Sequence, residues 1–209
     1  MDKKEIVRLG YNKSAEVLAQ IFGFERGEEE EEVKSLFDFS SRIPLGGKIL
    51  DAGCGSGAYS KILNKKYEVI GVDISEKQIE LARQKVPNVK FICQDMAKVS
   101  FKDEYFDGIL SFYSIIHIPR EEHREVLKNF YRMLKSRGVF LSSFHNIDDP
   151  ESYHEDFFGT GATMFWSGFD KTTNLQMVQD VGFKIIWSKL VQESPKFGVS
   201  YHLFVLAQR

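Results

Sequence analysis

The sequence has little cysteine, no long hydrophobic run and almost no excess of charge. Its only cysteines are Cys54 and Cys93, and neither belongs to a CxxC motif or a Cys/His cluster. This composition argues against a disulfide framework and a structural zinc site, so we expect no metal. No stretch approaches the roughly 18 apolar residues of a membrane span, and the N-terminus lacks a signal-peptide pattern. We therefore predict a cytoplasmic protein outside the membrane.

The near balance of positive and negative charges indicates which kinds of binding partner to expect. Lys and Arg number 28 against 30 Asp and Glu, a formal net charge of -2. Such a balance creates no field that would gather phosphates, so nucleic acid is not an expected partner. The only biased run is Glu28 to Glu32, which precedes Val33, Leu36 and Phe37 at helical spacing. We interpret it as a solvated helix start, where carboxylates are favourable.

No internal repeat or flexible linker divides the 209 residues, so we predict a single domain. Residues 1–44 form an N-terminal helical segment, and 45–145 alternate short β-type runs with helical patterns. Residues 146–173 are rich in aromatics and glycine, and 174–209 contain a final helix and two apolar runs. The alternation is typical of a parallel sheet with helices packed against it.

Strands are predicted at 48–51, 68–73, 89–94, 106–111 and 139–144, with two more at 183–190 and 200–207. The gap between the last two, 193–198, is too short for a crossover helix, so they should be antiparallel neighbours. One helix begins at Ser75, and another runs from near Pro119 to Gly138 and includes Leu134. The expected fold is α/β and Rossmann-like: a seven-stranded, mostly parallel sheet with one antiparallel C-terminal strand and helices on both faces.

A glycine-rich turn follows the first predicted strand, with the sequence Asp51-Ala-Gly53-Cys-Gly55-Ser-Gly57. Glycines allow a sharp turn and close approach of a ligand, and the next helix presents free N–H groups. Asp73 ends the second strand, where a carboxylate accepts hydrogen bonds from ribose hydroxyls. The spacing is GxGxG rather than the GxGxxG of dinucleotide enzymes, and Asp51 would repel a pyrophosphate but attract an ammonium. The pattern favours a nucleoside joined to an amino acid.

Five stretches are similar to the class I S-adenosylmethionine-dependent methyltransferases, and in particular to their small-molecule (type 11-like) branch. They are ILDAGCGSGAYS, VIGVDIS, VKFICQDM, FDGILSFYSIIHI and LKSRGVFLSS, and they lie within residues 48–145 in the family's order. The resemblance implies S-adenosylmethionine as cofactor and S-adenosylhomocysteine as product. Ser111, Phe112, Tyr113 and Ser114 stand where methyltransferases of adenine or glutamine have Asn-Pro-Pro-Tyr, which argues against those substrates.

The resemblance also implies a set of cofactor-binding residues. Asp51 and the backbone of Gly53 and Gly55 would hold the methionine part, with Ser111 nearby, and Asp73 would hold the ribose. Ile74, Gln78 and Met96 would surround the adenine, and Asp95 would accept from its amino group or, alternatively, cap the following turn. Tyr11, in YNKSAEVL, would lie over the sulfonium or simply pack in its helix.

Candidates for the acceptor side follow the fourth strand and occur in the aromatic segment. His117 is the candidate catalytic base, the alternative being a packed histidine with one hydrogen bond. Tyr113, Phe158 and Trp166 are candidates for the substrate pocket, in a segment that would be a mobile lid or a fixed cap. Methyl transfer needs in-line approach to an activated carbon, so alignment can supply most of the acceleration without a base.

Three functions remain after these considerations. The first is methyl transfer to an oxygen, nitrogen or carbon nucleophile of a small molecule, by a monomer or homodimer. The second is a non-catalytic cofactor-binding regulator or scaffold of the same fold. The third is a nicotinamide-dependent oxidoreductase, against which the absence of a GxGxxG turn speaks.

Overall fold

The computed structural model describes residues 1–22, 27–192 and 200–209. Its helices are α1 (Lys3–Ile21), α2 (Glu31–Ser41), α3 (Ala58–Leu63), α4 (Glu76–Lys85), α5 (His123–Met133) and α6 (Lys171–Val181). Its strands are β1 (Lys48–Ala52), β2 (Glu68–Asp73), β3 (Lys90–Cys93), β4 (Phe106–Ser111), β5 (Leu134–Phe144), β6 (Asp149–His154), β7 (Met164–Gly168), β8 (Lys184–Gln192) and β9 (Tyr201–Gln208). None of the helices in these ranges is long and apolar enough to cross a bilayer.

The main sheet has seven strands in the order β3-β2-β1-β4-β5-β9-β8. Strands β1 to β5 pair in parallel, whereas β9 is antiparallel to both of its neighbours, β5 and β8. The predicted fold class, including the single reversed strand, is confirmed. The predicted connection at 193–198 lies outside the described residues.

Apolar side chains cover the two faces of this sheet in separate layers. One layer joins α5 and α6 to the sheet through residues such as Leu127, Phe130 and Val178. The other joins α2 and α4 to it through Leu36, Phe39, Ile79 and others. Because the strands are buried on both faces, the rows of Val, Ile, Leu and Phe in the sequence are nearly continuous, as parallel sheets require.

The starts of α4 and α6 follow from their capping residues. The Ser75 hydroxyl accepts from Gln78 N at the start of α4, and the Asp170 carboxylate accepts from Thr173 N at the start of α6. Such caps satisfy amide groups that have no partner within the helix. Helix α6 therefore begins at Lys171, a few residues before the expected start beyond Asn174.

Two details of the helices differ from expectation. Helix α5 ends at Met133, and Leu134 and Gly138 belong to β5, with a register shift where β5 joins β4. Leu134 is fully buried in β5, as it would be on the inner face of a helix. Its apolar character therefore could not distinguish the helix from the strand. In α2 the buried face uses Phe39, and Phe37 is 44% exposed.

The aromatic segment forms a second, two-stranded sheet of β6 and β7. Its side chains Phe157, Met164 and Phe165 pack with Val7 and Leu18 of α1 in a third apolar cluster. Lys13 donates to the Gly161 carbonyl (2.9 Å), which adds a polar contact between the segment and α1. The segment and α1 therefore form one layer that borders the carboxyl ends of the parallel strands.

Candidate active site

A cavity of about 1610 Å³ opens at the carboxyl ends of the parallel strands. Its wall contains the turn after β1, the end of β2, the loop after β4, helix α1 and the aromatic segment. The predicted site residues that line it are Tyr11, Gly53, Gly55, Asp73, Ile74, Gln78, Asp95, Met96, Tyr113, His117, Phe158 and Trp166. Asp51 and Ser111, which are 2% and 0% exposed, lie behind this wall.

The turn after β1 is held in a left-handed conformation. Gly53 has φ +79° and Gly55 φ +52°, and the Gly53 amide donates to the Val72 carbonyl of β2 at 2.7 Å. A Cβ on Gly53 would lie 2.2 Å from Ser114 Cβ, whereas a Cβ on Gly55 would meet nothing closer than Gln78 Oε1 at 3.9 Å. Gly53 is therefore required by packing, and the space beside Gly55 is open to a ligand.

Asp73 lies beneath the turn and supports it. One of its oxygens accepts from Gly55 N at 2.8 Å and the other from Ser75 N at 2.9 Å. Burial raises the pKa of Asp73 to about 6, and these amide hydrogen bonds act in the opposite direction. A carboxylate has about four acceptor sites, so this arrangement leaves capacity for two further donors.

Asp51 is the deepest carboxyl group of the site. It accepts from the Ser60 hydroxyl at 2.6 Å. Burial raises its pKa to about 7, the charge of Asp73 adds to the rise, and the Ser60 hydrogen bond opposes it. Its negative charge would be stabilised by a cation placed above the turn.

Asp95 lies in an ion pair as well as at a turn. Its Oδ1 accepts from Ala97 N and its Oδ2 from Lys4 Nζ of α1, both at 2.9 Å. Lys4 also contacts Glu122 at 2.5 Å. Asp95 thus makes the capping contact that the sequence left open as an alternative, and it joins α1 to the sheet while still lining the cavity.

Tyr11 and His117 form a hydrogen bond with each other in the wall of the cavity. Tyr11 Oη and His117 Nε2 are 2.8 Å apart, and His117 Nδ1 is 2.8 Å from the Phe165 carbonyl oxygen. A carbonyl only accepts, so Nδ1 carries the proton and Nε2 accepts from the Tyr11 hydroxyl. Burial lowers the pKa of His117 to about 4, so the ring is neutral near pH 7.

The remaining candidates surround this pair. Trp166 lies 5.4 Å from His117 between ring centroids, and Phe158 packs edge-on against Phe157 at 4.5 Å. Tyr113 has φ +50°, and its hydroxyl donates to Glu32 at 2.7 Å. Backbone strain of this kind is commonly retained at functional sites. The described residues contain no group of three or more His, Cys, Asp or Glu side chains suited to a metal ion.

Several residues of the site were not foreseen from the sequence. Ser114 fills the space beside Gly53 and joins Ser111 Oγ (2.7 Å) to the Ala52 carbonyl (3.0 Å). Lys4, Glu32 and His145 also line the cavity. Ser114 and His145 follow predicted strand ends, which is a usable signal, but Lys4 and Glu32 come from helices whose placement depends on tertiary packing.

Residues 49–138 match a family described as "Methyltransferase domain". The match extends from β1 into β5 and includes the glycine turn, Asp73, Asp95 and His117. The match supports the resemblance of this region to the class I S-adenosylmethionine-dependent methyltransferases, and the strand order is that of a Rossmann-like fold.

Individual relatives are more distant. YqeM of Bacillus subtilis, a provisionally named methyltransferase, is 28% identical over 70% of this chain and 63% of its own length. The chain thus spans less than two thirds of that relative. The crystal structure of the Burkholderia thailandensis 1,6-didemethyltoxoflavin-N1-methyltransferase, with its substrate and S-adenosylhomocysteine, has a TM-score of 0.74 at 18% identity, covering 99% of this chain and 88% of that one. Magnesium protoporphyrin IX methyltransferase of Synechocystis, with S-adenosylmethionine, has a TM-score of 0.71 at 22% identity, covering 100% and 98%.

Proposed function

We propose that this chain binds S-adenosylmethionine in the cavity and transfers its methyl group to a small-molecule oxygen, nitrogen or carbon nucleophile. One observation carries the proposal: a left-handed glycine turn and the carboxyl groups of Asp51 and Asp73 occur at adjacent strand ends, beside one cavity. The names of the similar structures, which include small-molecule methyltransferases with bound cofactor or product, support it.

The donor set fits this cofactor. The open side of Gly55 leaves room for a ligand against the backbone, and Asp51 supplies negative charge beneath it. Asp73 has acceptor capacity for two ribose hydroxyls. Ile74, Gln78 and Met96 line the same part of the cavity and would surround the adenine, with Asp95 as acceptor for its amino group. Ser111 acts from behind the wall, through its hydrogen bond to Ser114.

When bound, the cofactor supplies an electrophilic methyl group on a sulfonium. The task of the protein is then to align a nucleophile and exclude water. Tyr11 donates a hydrogen bond to His117, and a hydroxyl oxygen can in addition accept one from the attacking group. His117, whose lone pair is engaged and whose pKa is lowered to about 4, acts as a positioning residue for Tyr11. Tyr113, Phe158 and Trp166 form walls of the acceptor part.

Calorimetry with S-adenosylhomocysteine tests the cofactor assignment directly. Asp73→Ala removes two charge-assisted hydrogen bonds, worth ~3 kcal/mol together, so the Kd should rise by about 100-fold. Asp103→Ala, which changes a 72% exposed aspartate side chain, is the matched control and should bind as the parent does. Equal affinity of Asp73→Ala and the parent protein would refute the ribose assignment. Cofactor binding without transfer to any member of a broad acceptor panel would favour the non-catalytic alternative.

A further inference from the structure

The acidic run of the sequence reaches the cavity through Glu32. The Tyr113 hydroxyl donates to Glu32 Oε1 at 2.7 Å, and Tyr113 N donates to Ser143 Oγ at 2.6 Å. These contacts fix both the ring hydroxyl and the backbone amide of Tyr113, whose backbone is in the left-handed conformation. The pair lies in the part of the cavity bordered by α2 and the loop after β4.

Among the described Asp, Glu, Lys and Arg side chains that line this side of the cavity, all are acidic. Glu31 is paired with Lys34 and Lys189, each at 2.7 Å, whereas Glu32 has no salt bridge within the described ranges. Lys4 is the only lysine or arginine among the described residues that line the cavity, and Asp95 and Glu122 hold it on the opposite side. Burial lowers the pKa of His145 to about 4, so this ring adds no positive charge at neutral pH.

Further aromatic rings extend from Tyr113 along the cavity wall. Phe112 lies 6.3 Å from Tyr113 between ring centroids, Tyr59 packs edge-on against Phe112 at 5.1 Å, and all three line the cavity. Ring faces and a carboxylate together attract a cation, through cation–π and charge-assisted hydrogen bonding. An acceptor with a carboxylate or phosphate would be repelled by Glu32.

We propose that the methyl acceptor is an amine, and that Glu32 with Tyr113 selects it over neutral and acidic analogues. This rests on the proposed function, because it assigns the acceptor part of the same cavity. It narrows the nucleophile from oxygen, nitrogen or carbon to nitrogen, and it gives the acidic run a role beyond starting a helix.

The chemistry balances with the groups present. The bound ammonium gives one proton to the Glu32 carboxylate, which frees the nitrogen lone pair. The nitrogen–carbon bond forms as the carbon–sulfur bond breaks, and that electron pair stays on sulfur. The positive charge passes from sulfur to the methylated nitrogen, and Glu32 releases its proton to water.

Matched probes test the selection. 2-Phenylethylamine, 2-phenylethanol and 3-phenylpropanoate share one ring and one chain, and their binding to the protein loaded with S-adenosylhomocysteine is measured by ligand-observed NMR at pH 7.5. The amine should bind about 10-fold more tightly than the acid. Glu32→Gln keeps an acceptor for Tyr113 but removes the charge, so the ratio should fall to about 2. Glu28→Gln removes the same charge from an exposed position of the same run and should leave the ratio unchanged.

Three results would overturn the amine assignment: binding of the acid as tight as that of the amine, no binding of the amine, or an unchanged ratio in Glu32→Gln. S-adenosylhomocysteine binding is measured first, without any probe. Its failure would count against the proposed function, whereas its success with an acid preference would remove only the amine inference.

Discussion

Tyr11 and His117 are 106 positions apart in the chain, and their hydrogen bond brings the N-terminal helix to the loop after β4. The bond decides how each residue can act. A histidine with a lone pair already engaged and a pKa lowered to about 4 is a weak base, although an isolated histidine titrates near 6.5. The hydroxyl oxygen that can orient a nucleophile by accepting its hydrogen bond is that of Tyr11.

Tyr11→Phe tests this division of roles. The variant keeps the ring but loses the hydroxyl, so kcat should fall by about 100-fold, while the Kd for S-adenosylhomocysteine changes little. Single-turnover kinetics and calorimetry separate the two quantities. Tyr105→Phe removes a hydroxyl that contacts Lys48 away from the cavity, and should leave both quantities unaltered. A parallel loss of cofactor affinity and kcat in Tyr11→Phe would instead assign Tyr11 to cofactor binding.

At the same scale, sequence reasoning can locate a residue that directly follows a strand end, while its binding role stays a prediction. Gly53, Gly55, Asp73 and Asp95 could be placed because parallel strands bring their carboxyl ends to one edge. It could not place Glu32, because nothing local distinguishes a glutamate that meets Tyr113 from its solvated neighbours. Nor could it show that Asp51 lies behind the wall.

Among the elements, the turn after β1 shows most directly how packing restricts the choice of residue. Gly53→Ala would put a Cβ 2.2 Å from Ser114 Cβ, in addition to the left-handed backbone. Gly46 has a similar φ of +76°, but a Cβ there would meet nothing within 4 Å. Comparing alanine substitutions at the two glycines therefore separates the cost of backbone strain from the cost of steric overlap.

We expect Gly46→Ala to lower the free energy of unfolding by about 1 kcal/mol and Gly53→Ala by roughly 3 kcal/mol. Denaturant unfolding measures both. Gly53→Ala should also weaken cofactor binding, because the turn must shift. Combining it with Ser114→Gly removes the Cβ in conflict and should restore part of the stability. Equal costs for the two single variants would mean that the turn relaxes freely.

The main-sheet strands and helices were largely predictable, since their periods and caps are local. The exceptions have physical causes. The end of α5 was placed too late because Leu134 is buried in a strand as it would be in a helix. The two-stranded sheet of the aromatic segment was missed because its strands are short, and their pairing and their packing against α1 are decided by tertiary contacts.

For the whole molecule, burial of ionisable groups gives opposing dependences of stability on pH. Asp51 and Asp73 have folded pKa values of about 7 and about 6, above the ordinary 3.8, so the folded state binds more protons and they favour it less as pH rises through this interval. His117, His123 and His145 have pKa values lowered to about 4, so the stability that they contribute is lost as pH falls from 6.5 to 4. Three such histidines outweigh two such carboxyl groups, so the protein without cofactor should gain stability up to about pH 7 and change little just above it.

Asp51→Asn should therefore stabilise the protein without cofactor while weakening its function. At pH 8 the parent carries a buried, ionised Asp51, and the amide removes that charge while keeping the contact with Ser60. The Tm should rise by about 5 °C at pH 8 and by less than half of that at pH 5, because the cost of Asp51 grows between its ordinary pKa of 3.8 and the folded value of about 7, and ~1 kcal/mol shifts Tm by roughly 2–4 °C in a domain of this size. Saturating S-adenosylhomocysteine should raise the Tm of the parent more than that of the variant, because its ammonium offsets the charge of Asp51.

Thermal unfolding from pH 5 to 9, with exposed Asp103→Asn as control, measures both effects. A lower Tm for Asp51→Asn at pH 8 would show that groups within the protein already stabilise the carboxylate. The carboxylate would then not require a cationic ligand to offset its charge.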